Sequence, residues 1–86
     1  MSKEIANKIE SMIKEEITRL GLVKSGKMRD SIKVTYSNNN YKIEAIEYFI
    51  YKDKEFGITE KVFNSDELLS FIKQEIINQI YKDINI

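Results

Sequence analysis

Any chemistry in this chain has to be done without histidine or cysteine, because neither occurs among its 86 residues. That removes the commonest general base, the commonest metal ligand and every thiolate site. Zinc would have to bind through carboxylates alone, an unusual ligand set. Two carboxylate pairs stand close in sequence, Glu44 with Glu47 and Asp53 with Glu55. Such pairs act as acid and base only where a cleft drives their pKa values apart. Here they alternate with lysines along segments that read as strands and turns, the pattern of solvated faces. Ser25 and Ser31 have no base within their motif and fit turn and strand roles. Gly26-Lys27 has the ending of a phosphate-binding loop, but Met28 follows where Ser or Thr is needed, and the upstream glycine is missing. The expectation is a protein with no catalytic residue, no cofactor, no metal and no small-molecule substrate.

What remains is charge. Between Lys24 and Val34 runs KSGKMRDSIKV, in which Lys24, Lys27, Arg29 and Lys33 face one acid, Asp30. The chain as a whole has a formal net charge of zero. Residues 1–33 hold 8 Lys/Arg and 5 Asp/Glu, and residues 34–86 hold 6 and 9, so the halves carry +3 and −3. A body with one basic and one acidic side can associate head to tail, and heterologous contacts of that kind close into rings. The same cations, with tyrosines for stacking, could hold nucleic acid. Dedicated nucleic-acid domains, however, show a basic stripe that this sequence lacks.

The elements that would position these residues are legible from periodicity. The length predicts one domain spanning 1–86, and a chain this size buries only about 60% of its unfolded surface. MSKEIANKIE at the N-terminus lacks the apolar centre of a signal peptide. No apolar run approaches the ~20 residues that span a bilayer, so the chain is expected inside the cell with no membrane partner. Ile5, Ile9, Met12, Ile13, Ile17 and Leu20 mark one face of a first helix ended by Gly21. Leu22 to Asp30 reads as a connection that turns at Ser25-Gly26. Ile32, Val34 and Tyr36 then alternate with polar residues as a strand, and Asn38-Asn39-Asn40 make a hairpin turn. A second strand is expected from Tyr41 through Tyr51, and the change of apolar phase within it suggests a bulge near Ala45 or a strand covered on both faces. Lys52-Asp53-Lys54 reads as a turn, and Phe56, Ile58 and Val62 as a short third strand kinked at Gly57. Asn64 is the expected cap of a last helix, with Glu67 as its reciprocal partner and Phe63 stapled onto Leu68. Leu69, Ile72, Ile76 and Ile80 form its apolar stripe, widened by Ile77, Tyr81 and Ile84. The predicted fold is α+β: an N-terminal helix, an antiparallel meander of two to three strands, and a C-terminal helix packed on the sheet.

Ser25-Gly26-Lys27-Met28-Arg29-Asp30-Ser31-Ile32 resembles a segment of the bacteriophage neck and tail-completion (head–tail joining) proteins, which lies between their first helix and first strand. Tyr48 to Tyr51 with Glu55-Phe56-Gly57 resembles their tyrosine-rich strand ending in Glu-Phe-Gly. The order of parts covers nearly the whole chain. It departs from the family in two extra residues before Glu55 and in lacking the proline-rich stretch that often follows. The resemblance implies a structural virion protein without catalytic activity. Such a protein assembles in the host cytoplasm into a ring at the head–tail junction or tail top, beside neighbouring virion proteins. It implies that Gly26 allows the turn and that Gly57 ends the aromatic strand. Met28 and Ile32 would anchor the segment in the core or on a neighbour, and Arg29 would make a polar contact. Lys24, Lys27, Arg29 and Lys33 would then face acids of the next subunit, or DNA in the channel. Tyr48, Tyr51 and Phe56 join them as expected contact residues. The competing expectation is a small soluble regulatory or nucleic-acid-binding module.

Overall fold

Isoleucines repeating at helical spacing make the first helix the spine of the domain. In the computed structural model, which describes residues 2–22 and 26–84, α1 (Ser2–Arg19) buries Ile5, Ile9, Met12, Ile13 and Ile17. It packs on β1 (Lys33–Ser37), on α4 (Ile58–Phe63) and on α5 (Asp66–Ile84). Its end is a paired cap: Gly21 N–H donates to Thr18 O at 3.0 Å and Leu22 N–H to Ile17 O at 3.1 Å. This is the hydrogen-bond pattern of a Schellman motif, with glycine in the left-handed position.

The expected connection holds a turn of helix. α2 (Lys27–Ser31) starts from Gly26, whose φ of 81° suits glycine, and Asp30 N–H closes back on Gly26 O at 2.8 Å. This turn drops Met28 into the core and delivers Ile32 to it. β1 then pairs antiparallel with β2 (Asn40–Glu44) in the register Val34↔Ile43 and Tyr36↔Tyr41. Asn38 (φ 52°) and Asn39 (φ 65°) make the two-residue turn, as the asparagines predict. Such a loop makes Ser37–Asn40 the hydrogen-bonded closing pair, so Tyr36–Tyr41 is a non-hydrogen-bonded pair whose side chains lie close. Their ring centroids are 4.8 Å apart.

The aromatic strand is instead a helix. β2 stops at Glu44, and Tyr48 to Tyr51 lie in α3 (Glu47–Phe56) with Lys52-Asp53-Lys54, the expected turn. The change of apolar phase near Ala45 marks this switch from strand to helix rather than a bulge. Helical spacing explains the run of aromatics. Phe49 alone is buried, Tyr51 reaches back to Glu47, and Tyr48, Lys52 and Phe56 stack at steps of four. The third strand is absent too: Ile58 and Val62, four apart, are the buried face of α4. Gly57 therefore ends a helix rather than a strand. At φ 63° it caps α3 through a 2.7 Å bond from its N–H to Asp53 O and opens α4 in the same residue.

The cap of α5 is Ser65, one residue later than expected. Its Oγ accepts Leu68 N–H at 3.1 Å, while Asn64 closes α4. With Asn64 before the cap, Phe63 is too early to act as the staple and stays half-exposed. The result is an α+β domain, in which a two-stranded antiparallel sheet and helices gather around an N-terminal helix. The core draws on α1, α2, β1, α3, α4 and Leu68 of α5. No polar or charged side chain is buried among the described residues.

Candidate interaction surface

Lys24 lies outside the described residues. The other cations of its segment do not form one patch. Lys27 lines a cavity of about 300 Å³ with Met28, Ile46, Tyr48 and Lys52. Arg29, its Nε 3.4 Å from Asp30 Oδ1, borders a surface with Thr18 and Arg19 of α1. Lys33 lines a groove of about 690 Å³ between α1 and β1, shared with Lys3, Glu10, Lys14 and Tyr36. A single helical turn followed by a strand sends successive side chains in different directions, so closeness in sequence does not become closeness in space. Met28 is 5% exposed and belongs to the core, which corrects its expected role as a partner contact.

Ion pairs join the two halves of the chain in both senses and leave their charge polarity as it was. Lys8 of α1 meets Glu67 of α5 at 2.7 Å, and Lys61 of α4 lies 3.4 Å from Glu16 of α1. Glu16 also takes Arg19 Nε at 3.0 Å, and this bond holds its carboxyl below the ordinary range.

The structure places Tyr48 and Phe56 on one face of α3. They flank Lys52, whose Nζ sits 5.4 Å from the Tyr48 ring centre and 5.9 Å from that of Phe56. Contact with Tyr48 is the first cause that raises the Lys52 pKa. Tyr51 is 61% exposed beside them. Ser31 pins this face to α2: its hydroxyl donates to Met28 O at 2.7 Å and accepts Ile46 N–H at 3.2 Å. The Ser-Ile end of the phage-like segment thus positions the start of α3, a coupling that the sequence does not state.

Two further apolar surfaces stand open. A groove of about 450 Å³ runs between β2, α3 and α4, lined by Ile43, Ala45, Phe49, Ile50 and Phe63, with Asp53 and Glu60 also in its lining. Among the described side chains of α5 only Leu68 is buried, and Phe71 and Ile72 are partly so. Leu69, Ile76, Ile77 and Ile80 are each 43 to 52% exposed, so the expected stripe is apolar but largely uncovered. The side chains of Tyr81 and Ile84 lie outside those described. The domain measures 51 × 25 × 19 Å, and its radius of gyration is 14.6 Å. A compact chain of this length would have a radius of about 12 Å.

Among the described residues no group of three or more acids could hold a metal, and no helix is long and apolar enough to cross a membrane. No known protein family, curated protein or solved structure matches the chain.

Proposed function

We propose that this protein is a structural assembly subunit, a head–tail joining or tail-completion component of a bacteriophage that builds a ring with its own copies. One observation carries the reading: among the described residues of so small a domain, twelve large apolar or aromatic side chains are exposed. Scattered surface hydrophobes are ordinary, but contiguous patches mark interaction sites. Here all but Tyr36 and Tyr41 of the hairpin gather on α3 and its start, on the groove beside it and on α5. The phage-like segment around Gly26 adds to this, as does a described interior without polar side chains in which to build a reactive site. Sedimentation velocity across a concentration series tests the proposal: oligomers of defined size support it, and a monomer at every concentration removes it.

A second reading rests on the groove between α1 and β1. Lys3, Lys14 and Lys33 line it with Tyr36, a combination that suits single-stranded nucleic acid. Glu10 and Asp30 in the same lining oppose a phosphate backbone. Binding of a fluorescent oligonucleotide that weakens steeply with salt would favour this reading over assembly.

A further inference from the structure

Resting on self-assembly as proposed above, we infer that the occupant of the β2–α3–α4 groove is α5 of a second copy of this chain. Leu69, Lys73, Ile76 and Ile80 follow steps of four, three and four, so they share one face of α5. That face adjoins the one buried through Leu68 and Ile72, roughly a quarter turn further round the helix. The helix therefore presents one apolar side to its own core and a second to a neighbour. The groove offers the matching concavity, with Ile50 52% exposed in its wall and Phe63 47% exposed beside it.

Charge selects this pairing. The cation in the stripe is Lys73, and the charged residues in the groove lining are Asp53 and Glu60. Two copies of α5 laid on each other would instead bring Lys73 of one near Lys73 of the other. Area points the same way. A helix of 19 residues is about 28 Å long and 10 Å wide, a projected face of roughly 300 Å². Specific interfaces cover about 800 Å² per partner. A concave groove wraps more of the helix than a second helix does, and it leaves neither apolar surface uncovered. The contact is heterologous, with different surfaces on the two sides, which is the kind that propagates around a ring.

The test is sedimentation velocity with mass photometry on the full chain, with circular dichroism to confirm folding. Ile80→Glu alters only the helix side and Ile50→Glu only the groove side, both at exposed positions. Each variant alone is expected to fold and to lose assembly. Mixed, they retain one intact helix and one intact groove, and give a one-to-one dimer that grows no further. Lys73→Glu and Glu60→Lys each weaken assembly roughly tenfold, and together they restore it. Loss of assembly with Ile80→Glu but not with Ile50→Glu would overturn the pairing and place α5 on another surface. Oligomers indifferent to both changes would overturn the inference while sparing the proposed function. A wild-type chain that stays monomeric overturns both.

Discussion

Asp53 holds Thr59 with both carboxylate oxygens: Oδ1 accepts the Thr59 N–H at 2.7 Å and Oδ2 the hydroxyl at 2.8 Å. The first turn of a helix leaves amides without partners, and α4 has no capping side chain at Gly57. Asp53, one turn back in α3, supplies what the glycine cannot. The corner between α3 and α4 is thus fixed by a left-handed glycine and one carboxylate, and it sets the shape of the groove between them.

Asp53→Ala should therefore cost about 1–2 kcal/mol, as removal of a helix cap does. Thr59→Val, which keeps the amide bond and loses only the hydroxyl, should cost less. Urea unfolding followed by circular dichroism ranks the two, and a reversed order would mean that the amide contact is not what holds the corner.

At the hairpin, Asn39 occupies a left-handed position at φ 65°, which glycine adopts without strain. Asn39→Gly should raise stability by a few tenths of a kcal/mol. The gain is reduced by loss of the 3.0 Å bond that Asn39 Oδ1 accepts from the Tyr36 hydroxyl. Thermal melts of Asn39→Gly in wild-type and Tyr36→Phe backgrounds separate the two effects.

Ile13 and Ile58 are both fully buried, on α1 and α4, helices that pack together. Replacing either by alanine should cost about 2–5 kcal/mol. A chain of this length holds roughly 4–13 kcal/mol in total. Either change should leave a protein that melts tens of degrees lower or is unfolded at room temperature, and both together should abolish the folded state.

Glu16 links stability to pH. Bonding to Arg19, helped by Lys61, lowers its pKa in the folded chain. The unfolded chain therefore takes up the proton first. The Glu16 contribution is complete above the ordinary glutamate value of about 4.3 and disappears as pH falls through the lower folded value. Both cations are 57% exposed, so solvent screening keeps the effect below about 1 kcal/mol. Glu16→Gln should flatten the acid limb of the stability curve and lower the plateau above it by the same small amount, without adding any slope on the alkaline side.

The cations of the phage-like segment can be tested one by one, because they occupy different surfaces. Lys27→Glu and Arg29→Glu should both fold, since neither side chain is buried. If ring contacts run along α3, Lys27→Glu weakens assembly more than Arg29→Glu does, as sedimentation at physiological salt would show.

The first helix, the asparagine hairpin and the α+β class were legible because one signal settles each. Period 3.6 runs unbroken from Ile5 to Leu20, and consecutive asparagines suit a left-handed turn. Tyr48 to Tyr51 misled because aromatic residues favour strands on average, whereas helical geometry buries Phe49 and leaves outside Tyr51, which would share its face in a strand. Asn64 and Ser65 have equal capping chemistry, and only backbone geometry separates them. Of the candidate contact residues, Tyr48 and Phe56 share a face of α3 on either side of Lys52, which the sequence pattern places in a turn. The dispersal of Lys27, Arg29 and Lys33 could not be read from spacing, because it depends on a single helical turn too short to leave a periodic signal.

Glu10 has a consequence for how this protein survives in crowded solution. Its Oε1 takes the amide of Val34 at 2.9 Å, on the side of β1 that faces away from β2. An open strand margin is a template on which identical chains can stack without limit. A side chain occupying that margin acts as a stopper on the β1 edge, where another chain would otherwise find the Val34 amide vacant.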